Sequence, residues 1–352
     1  MKPLKPYLIA ETAYNHEGDI DYLYRMTDEI AEMKMDAIKY HLMLDAESYM
    51  QKNHPLIEDD KKWLFSELQW TDLLTHAQKQ NLDIVALCDD VESLEFINQD
   101  FKDIFAVEIH ATGLNDYFLL NEAANFQGMV ILGVGGSTME EIEYAINLLN
   151  KKSKNEILLM YGFQSYPTKY EDVNLLKIKK LEAVFGLPVG YADHTAYNDP
   201  NNEFISVMAT TMGINILEKH FTPDYGVERI DFHSAVGKTQ MLKIKELMNI
   251  ACAIYGDGNI GMSEAELNYG NTGPMKKAIV AKKEIKAGEK LTLENLWFKR
   301  TIEQTPIKQY SFPQLLGLKA INDIAEDEII DFSKVKYEFK KMSLTDFTNI
   351  NK

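Results

Sequence analysis

Eight short apolar runs alternate with longer amphipathic segments over the first 255 residues, and this repeat is the feature that most constrains the fold. Short apolar runs bounded by turn residues are typical of buried strands, and the segments between them have a helical period. Eight strand–helix units in about 250 residues are the number expected for an α/β fold of the (β/α)₈ TIM-barrel type. The predicted strands are residues 7–11, 36–40, 82–88, 104–109, 129–134, 156–161, 187–192 and 214–221.

A doubly wound parallel sheet would suit a smaller number of such units equally well. No predicted strand leads into a G-x-G-x-x-G turn, so a dinucleotide-binding sheet has no support. The (β/α)₈ barrel is therefore predicted for residues 1–255.

The character of the sequence changes after residue 255. Residues 256–275 are rich in glycine and lack a periodic apolar face, which predicts a flexible linker. Short alternating strands with a short helical stretch at Leu293–Leu296 predict a small β-rich domain over 276–339, and 340–352 is predicted to be a polar tail.

The charge balance excludes several classes of partner. Lys and Arg number 37 and Asp and Glu number 54, so the net charge is −17. A chain this acidic, without a basic run, is a poor binder of nucleic acid or anionic membranes. The two cysteines, Cys88 and Cys252, cannot build a disulfide framework and suit a reducing compartment. No apolar stretch approaches 18 residues, so we expect a cytoplasmic protein.

Polar side chains gather where the predicted strands end, which is where barrels of this kind carry their chemistry. The histidines at positions 194 and 220 follow neighbouring strands, so their imidazoles can converge on one divalent ion. The alternative, that each is an ordinary hydrogen-bonded loop residue, remains open at this point. The acidic runs at 58–60 and 325–328 are typical of solvated turns. The polar strand-end residues are Glu11, Asn15, His16, Lys39, His41, Asp89, Asp90, Glu108, His110, Gln164, Tyr166, Asp193, His194, Glu218, Lys219 and His220, followed by Asp231 and His233.

Several of these residues lie in longer motifs. The chain reads IAETAYNHEGD (9–19), DAIKY (36–40), SYPTKYEDVNL (165–175), GYADHT (190–195), ILEKHFT (216–222) and NLWFKR (295–300). In order and spacing these segments resemble the sialic acid synthase (N-acetylneuraminate synthase) family, whose C-terminal part is an antifreeze-like SAF domain. The resemblance covers almost the whole chain.

The resemblance implies a metal-assisted transferase that condenses phosphoenolpyruvate (PEP) with an N-acylated amino sugar to a nonulosonic 2-keto acid. The metal is expected to be Mn²⁺, with Mg²⁺ as the alternative. It also implies a domain-swapped homodimer, in which the SAF domain of one subunit covers the site of its partner. The implied residues are Glu11, Lys39 and Glu218 for catalysis, Tyr166, Asp231, Arg300, Gln164 and His41 for substrate binding, and His194 and His220 for the metal.

The departures from the family pattern fall on the groups that hold the PEP phosphate. The family sequence IKIGSGE is replaced by VEIHATG, so Glu108 stands in place of a lysine and Ala111 in place of a serine. Leu87, Gly133 and Ala192 likewise stand where the family has hydroxyl residues. A phosphate needs such donors and positive charge. Protonated His110 or His41 could supply that charge instead.

Three interpretations therefore remain. The first is a PEP-dependent synthase, and the second is a metal-dependent lyase or aldolase that acts on a sugar acid without PEP. The third is a non-catalytic protein that binds a sugar acid. Retention of both histidines, Glu11, Lys39 and Arg300 argues against complete loss of activity, whereas Glu108 and Ala111 argue against unmodified PEP chemistry.

Overall fold

The computed structural model describes residues 5–153, 155–271 and 276–337 of the chain. The chain divides into two compact units, the first ending at Gly258 and the second beginning at Asn259. The expected polar tail, 340–352, lies outside the described residues. In the described part of the chain, no helix is both long and apolar enough to cross a bilayer.

The first unit is a closed barrel of eight parallel strands in sequence order, in which the last strand pairs with the first. This confirms the predicted (β/α)₈ fold. The strands are β1 Tyr7–Glu11, β2 Ala37–Leu42, β3 Asp83–Cys88, β4 Ala106–Ile109, β5 Met129–Gly133, β6 Ile157–Tyr161, β7 Val189–Asp193 and β8 Ile216–His220.

The connections between strands contain more helices than the periodicity predicts. The short helices α2, α3, α8 and α10 lie in stretches for which no helix is predicted, because four to seven residues are too few to establish a helical period. The helices of the first unit are α1 Ile20–Glu32, α2 Ala46–Tyr49, α3 Ile57–Trp63, α4 Glu67–Lys79, α5 Val91–Asp100, α6 Tyr117–Ala123, α7 Met139–Lys152, α8 Tyr170–Val173, α9 Leu176–Phe185, α10 Asn202–Met208 and α11 Lys238–Tyr255.

The period of two along each strand decides which strand-end residues enter the barrel. Ile9 and Ala37 belong to the apolar cluster inside the barrel. Side chains two positions apart on a strand share a face. The next inward positions, toward the carboxyl end, are therefore Glu11 and Lys39, and Glu108 follows Ala106 in the same way. The interior thus changes from apolar to charged within one step along the strands.

The opposite face of β7 and β8 carries a buried ion pair. Lys219 Nζ lies 2.6 Å from Asp193 Oδ2, and neither side chain has any exposed area. The Ser206 hydroxyl on α10 donates to the same carboxylate oxygen at 2.6 Å, and the Tyr191 hydroxyl donates to Oδ1 at 2.9 Å. Lys219 and Asp193 were candidates for the site as strand-end residues, but they face the helix layer and join α10 to the barrel.

The second unit has a small apolar core of its own around Ile279, Leu296 and Ile324. Its elements are α12 Glu264–Asn271, the antiparallel pair β9 Lys277–Ala281 and β10 Leu296–Arg300, and α13 Phe312–Leu315.

Two predictions for this region differ from the structure. Residues 256–275, expected to be a flexible linker, include α12, which begins with reciprocal hydrogen bonds between Ser263 and Glu266. The expected helical stretch at Leu293–Leu296 is instead a turn, in which the Asn295 side chain accepts from the Thr292 N–H at 2.7 Å. Leu296 begins β10.

The Lys219–Asp193 pair gives a test of the barrel packing. We expect Lys219→Met to lower the free energy of unfolding by about 3–5 kcal/mol, because it leaves a buried carboxylate without its cation. Denaturant unfolding followed by circular dichroism measures the change. The control is Lys243→Met on α11, which removes an exposed i,i+3 pair with Glu246 and should cost less than about 1 kcal/mol. An equal loss of free energy of unfolding in the two variants would contradict the assignment of Lys219 and Asp193 as a buried ion pair.

Candidate active site

A cavity of about 790 Å³ is lined by residues from the carboxyl ends of the barrel strands and from the loops that follow them. The predicted site residues that line it are Glu11, Lys39, His41, Gln164, Tyr166, His194, Glu218, His220 and Asp231. Arg300 belongs to the second unit, where it is exposed at the end of β10.

Lys39 is the centre of the polar cluster at the floor of this cavity. Its Nζ lies 2.9 Å from Glu108 Oε1, 2.9 Å from Glu218 Oε1 and 3.4 Å from Glu11 Oε1. All four side chains are buried. Charges removed from water are tolerated only when they are paired, so the ammonium group and the carboxylates hold one another in place.

The pKa values follow from this arrangement. Burial opposes the charge on Lys39, but Glu108, Glu11 and Glu218 outweigh it and raise the pKa of the amine above its usual value. Burial also opposes ionisation of Glu11, yet Lys39 and the neighbouring histidines hold its pKa well below its usual range. A lysine held protonated is not a nucleophile, so this cluster does not favour Schiff-base chemistry at Lys39.

The pKa values of Glu108 and Glu218 are raised, whereas that of Glu11 is lowered. Burial raises the pKa of the Glu108 carboxyl, and the nearby Glu11 adds to the effect while Lys39 only partly offsets it. Burial and the charge of Glu11 raise the pKa of Glu218 well above its usual value. The Oε2 atoms of Glu108 and Glu218 have no hydrogen-bond partner among the described residues. Both oxygens are almost completely enclosed by protein atoms, so each is a buried carboxylate oxygen without a hydrogen-bond partner.

His41 connects this cluster to a second acidic group. Its Nε2 lies 2.7 Å from Glu11 Oε1, and its Nδ1 lies 4.0 Å from Asp89 Oδ2. The Tyr14 hydroxyl donates to the same Asp89 oxygen at 2.8 Å. Burial lowers the pKa of the His41 imidazole, but the two carboxylates outweigh it and raise that pKa above its usual value. Burial raises the pKa of Asp89 to about 6.

His194 and His220 stand side by side at the same cavity, with ring centroids 5.0 Å apart. The Nδ1 of His194 lies 3.2 Å from the Ala192 carbonyl oxygen, which fits an N–H donated to that carbonyl. Burial and the neighbouring His220 lower the pKa of His194 to about 3, so the imidazole is neutral and its Nε2 keeps a lone pair. A neutral imidazole is the form that binds a metal.

The donors around these rings fit a divalent ion in part. His220 Nε2 lies 3.1 Å from Glu11 Oε2, so two imidazoles and a carboxylate oxygen stand near one another. Two nitrogens with oxygen ligands suit Mn²⁺, Mg²⁺, Co²⁺ or Zn²⁺. Among the described residues, no group of three or more His, Cys, Asp and Glu side chains is arranged to hold an ion. Water and substrate oxygens would have to complete the shell.

Part of the cavity wall was missed by the sequence analysis. The connection between β2 and α4 contributes Tyr49, Met50, Leu56, Asp60 and Trp63. The acidic run at 58–60, expected to be a solvated turn, lies in α3 instead. Glu58 and Asp59 in it are exposed and Asp60 is buried against the cavity. This seven-residue helix directs the Asp60 carboxylate inward and those of Glu58 and Asp59 outward. The composition of the acidic run does not reveal that difference.

The lining is strongly acidic. Lys39 and Arg229 are the permanent cations among the described lining residues, and eight carboxylates face them. Arg229 Nη1 lies 3.3 Å from the Asn15 carbonyl oxygen and 3.4 Å from Glu17 Oε2. Its guanidinium lies 4.0 Å from the centre of the Tyr22 ring. The carboxylates are Glu11, Glu17, Asp60, Asp89, Glu108, Glu218, Glu228 and Asp231.

The floor of the cavity offers few of the hydrogen-bond donors that a phosphate group needs. Ala111, Gly133 and Ala192 line the cavity without offering a hydroxyl, and Leu87 is buried outside the lining. One negative charge placed 4 Å from an ionised carboxylate is opposed by about 4 kcal/mol at an effective dielectric constant near 20. Where Glu108 is ionised it repels a dianion, and Lys39 at 2.9 Å offsets part of that repulsion.

Comparison with known proteins gives two family matches. The NeuB family model matches residues 25–259, and the SAF domain model matches residues 276–336. The first match spans most of the barrel and the second spans the small unit that contains β9 and β10.

Individual relatives agree with these matches. A protein of Methanocaldococcus jannaschii described as uncharacterized is 32% identical, over 92% of this chain and 93% of its own. The N,N'-diacetyllegionaminic acid synthase of Campylobacter jejuni is 30% identical, over 93% of this chain and 99% of its own. The crystal structure of the N-acetylneuraminic acid synthetase of Leptospira borgpetersenii, in complex with citrate, superposes with a TM-score of 0.69 at 28% identity, over 76% of this chain and 90% of that one.

Asp89 gives a pH-dependent test of the site. Its folded-state pKa of about 6 lies above the unfolded value near 3.9, so the folded state binds the proton more tightly. Stability is then lost as pH rises from about 4 to about 6, amounting to about 3 kcal/mol.

We expect the free energy of unfolding of Asp89→Asn, relative to wild type, to be about 3 kcal/mol higher at pH 7 than at pH 4. Denaturant unfolding at both pH values measures the difference. Asp59→Asn, which changes an exposed carboxylate on α3, serves as the control and should shift by less than about 1 kcal/mol. If wild type and Asp89→Asn differ in free energy of unfolding by the same amount at pH 4 and pH 7, the raised pKa of the buried Asp89 is refuted.

Proposed function

The chain belongs to the NeuB family, with a SAF domain in its second unit, and we propose that it condenses a three-carbon donor with the aldehyde of an N-acylated amino sugar. The product is a nonulosonic 2-keto acid. The observation that carries this proposal is the cluster of Lys39, Glu11 and Glu218 beside the paired His194 and His220, at the carboxyl ends of the strands. Relatives that are legionaminic and neuraminic acid synthases support it.

His194 and His220 are proposed to hold the divalent ion, for which Mn²⁺ and Mg²⁺ are the candidates. The ion supplies Lewis-acid chemistry for the aldehyde oxygen when bound. Glu11, in contact with His220 and Lys39, orients the imidazole and fixes the ammonium group.

The remaining polar residues are proposed to have two roles. The buried carboxylates transfer protons, and the other residues bind the acceptor sugar. Lys39 fixes the positions of the carboxylates, and buried carboxylates next to a reacting carbon can take or give protons. Gln164, Tyr166 and Asp231 line the same cavity and are proposed to contact the hydroxyl and N-acyl groups of the acceptor. An open-chain amino sugar has donors and acceptors for all three.

The identity of the donor is a separate matter. The resemblance implies PEP, which would be attacked by water at the enol carbon and release phosphate by C–O cleavage. The contact between Lys39 and Glu108 is the specific observation that favours a donor without phosphate. A barrel with no catalytic role has less support, since perturbed buried carboxylates gathered in a cavity are typical of active sites.

The condensation is tested by mixing the protein with Mn²⁺, PEP or pyruvate, and a panel of N-acylated amino sugars. We expect a nine-carbon 2-keto acid by mass spectrometry with at least one combination. His194→Ala and His220→Ala should lose about 100-fold or more of the activity and most of the bound metal. His76→Ala, which changes a histidine paired with Asp28 outside the cavity, should retain both. Full metal content and activity in both site variants would exclude this role for the two histidines.

Arg300 is proposed to reach the acceptor in the partner subunit of a domain-swapped homodimer, as the resemblance implies. We expect a dimer by sedimentation, and a roughly 10- to 100-fold loss in kcat/KM for the sugar in Arg300→Ala, the range for one charged hydrogen bond. Lys299→Ala, its neighbour on β10, is the control. A monomeric protein with an unchanged KM in Arg300→Ala would contradict the proposal.

A further inference from the structure

A second pair of acidic side chains lines the cavity outside the cluster around Lys39. Asp60 lies on α3, Asp89 follows β3, and both residues line the cavity. Asp60 is 6% exposed, and the side chain of Asp89 is 5% exposed. Burial raises the pKa of Asp89 to about 6, and the charge of Asp60 adds to that shift, so the two carboxylates lie close enough to interact. The condensation proposed above gives this pair no role.

The oxygens of the pair are open to a ligand. The Asp60 carboxylate forms no hydrogen bond or ion pair with any described residue, and neither of its oxygens is fully enclosed. Asp89 Oδ2 accepts from the Tyr14 hydroxyl at 2.8 Å, whereas Oδ1 has no hydrogen bond among the described residues and also keeps accessible surface. Burial raises the pKa of Asp60, and the nearby His54 only partly offsets this effect. Asp60 thus lacks the donor that a buried carboxylate needs, and a ligand in the cavity can supply it.

The cations of the site leave this pair short of positive charge. His41 Nδ1 lies 4.0 Å from Asp89 Oδ2, too far for a hydrogen bond, and its Nε2 is 2.7 Å from Glu11. His220, proposed for the divalent ion, contacts Glu11 as well. The two lysines that follow Asp60 in the sequence pair with exposed carboxylates instead. Even a protonated His41 is therefore shared with Glu11, and it cannot balance both carboxylates of the pair.

Aromatic side chains adjoin the two carboxylates. The rings of Tyr14 and Trp63 have centroids 5.5 Å apart, and Tyr49 lines the cavity with them. Burial, together with the charges of Asp89 and Asp60, raises the pKa of both phenols, so both carboxylates lie near these rings. Carboxylates beside aromatic rings are typical of a site for an organic ammonium group, which the ring quadrupole attracts as well. A hard divalent ion instead takes six or more oxygen ligands.

Main-chain packing holds Asp60 at the cavity. The loop after β1 touches the end of α3 at Gly18, where φ is +82° and a Cβ would collide with the Lys62 carbonyl oxygen. Glycine is the residue that combines this backbone conformation with so close an approach. The helix that carries Asp60 is therefore fixed against the barrel in the absence of any ligand.

We propose that Asp60 and Asp89 bind an ammonium group of the acceptor, with Tyr14, Tyr49 and Trp63 as its aromatic surroundings. The acceptor is then an N-acylated amino sugar that carries a second, free amino group. Such an amine is protonated at neutral pH and offers three N–H donors, enough to reach both carboxylates, whereas a hydroxyl offers one. The inference rests on the condensation proposed above and names a group of its acceptor.

Calorimetry tests the preference for an amine. The full-length protein with Mn²⁺ is titrated with N-acetylmannosamine and with two derivatives, in which an amino group replaces either the terminal hydroxyl or the hydroxyl of carbon four. We expect at least one amino derivative to bind about 10- to 100-fold more tightly than N-acetylmannosamine, the range for a hydrogen bond to a charged group. Equal or weaker binding of both amino derivatives overturns the proposal.

Substitution of each carboxylate tests the assignment of residues. In Asp60→Asn and in Asp89→Asn the preference for the amino derivative should fall by about 10-fold, because asparagine keeps the size of the side chain and removes the charge. Affinity for N-acetylmannosamine should stay close to that of wild type, which a damaged cavity would not allow. Asp59→Asn, the exposed neighbour on α3, is the matched control and should keep the preference.

Folding of the variants is checked by circular dichroism. Asp89→Asn is expected to be stable at pH 7, so it decides the matter if Asp60→Asn does not fold. An undiminished preference for the amine in the folded variants overturns the assignment of the carboxylates.

A divalent ion is the competing occupant of the carboxylate pair. Equilibrium dialysis against Mn²⁺ should show the same number of bound ions per chain in wild type, Asp60→Asn and Asp89→Asn. Loss of an ion in the two aspartate variants, with a second ion lost separately in His194→Ala, would make the pair a metal site and overturn the proposal.

The outcomes separate this inference from the proposed condensation. Tighter binding of an amino derivative, without a 2-keto acid product from any sugar, supports the ammonium site and contradicts the condensation. Product from N-acetylmannosamine, without a preference for either amino derivative, overturns the ammonium site while the condensation stands. The absence of both the preference and the product overturns the two proposals together.

Discussion

The contact of one buried lysine with three buried carboxylates is the interaction on which the site depends. Lys39, Glu11, Glu108 and Glu218 come from β2, β1, β4 and β8, so a single ammonium group ties together strands from different parts of the barrel. Such a cluster is tolerated because each charge has a partner, yet it is not what a barrel core needs for stability. Perturbed buried charges gathered at the carboxyl ends of barrel strands are typical of an active site.

The fold could be predicted because the barrel repeats one simple unit eight times, and each buried strand is a short apolar run. The site could be predicted in outline because strand ends converge in a parallel barrel. The position of a residue at a strand end does not by itself tell whether its side chain points into the barrel or toward the helix layer. Lys219 and Glu218 are adjacent in the sequence, but one pairs with Asp193 in the helix layer and the other contacts Lys39 in the cavity. The period of two would have separated them.

Two physical causes explain why some features of the cavity could not be predicted from the sequence. Helices such as α2 and α3 are too short to show a period, so the wall that includes Tyr49 and Asp60 could not be assigned from the sequence. Other contacts link distant segments: Tyr14 reaches Asp89, and Arg229 returns to Asn15 across more than 200 residues. Only the closed barrel brings these groups together. The substitution at Glu108 was visible in the sequence, but its pairing with Lys39 was not.

A crystal structure of the Mn²⁺-loaded protein soaked with PEP, at a resolution that defines side-chain positions, tests the central claim most directly. The account predicts that Lys39 Nζ stays within about 3.5 Å of Glu11, Glu108 and Glu218, and that no phosphate density lies against the floor of the cavity. A phosphate bound to Lys39, with Glu108 turned away from it, would contradict the account.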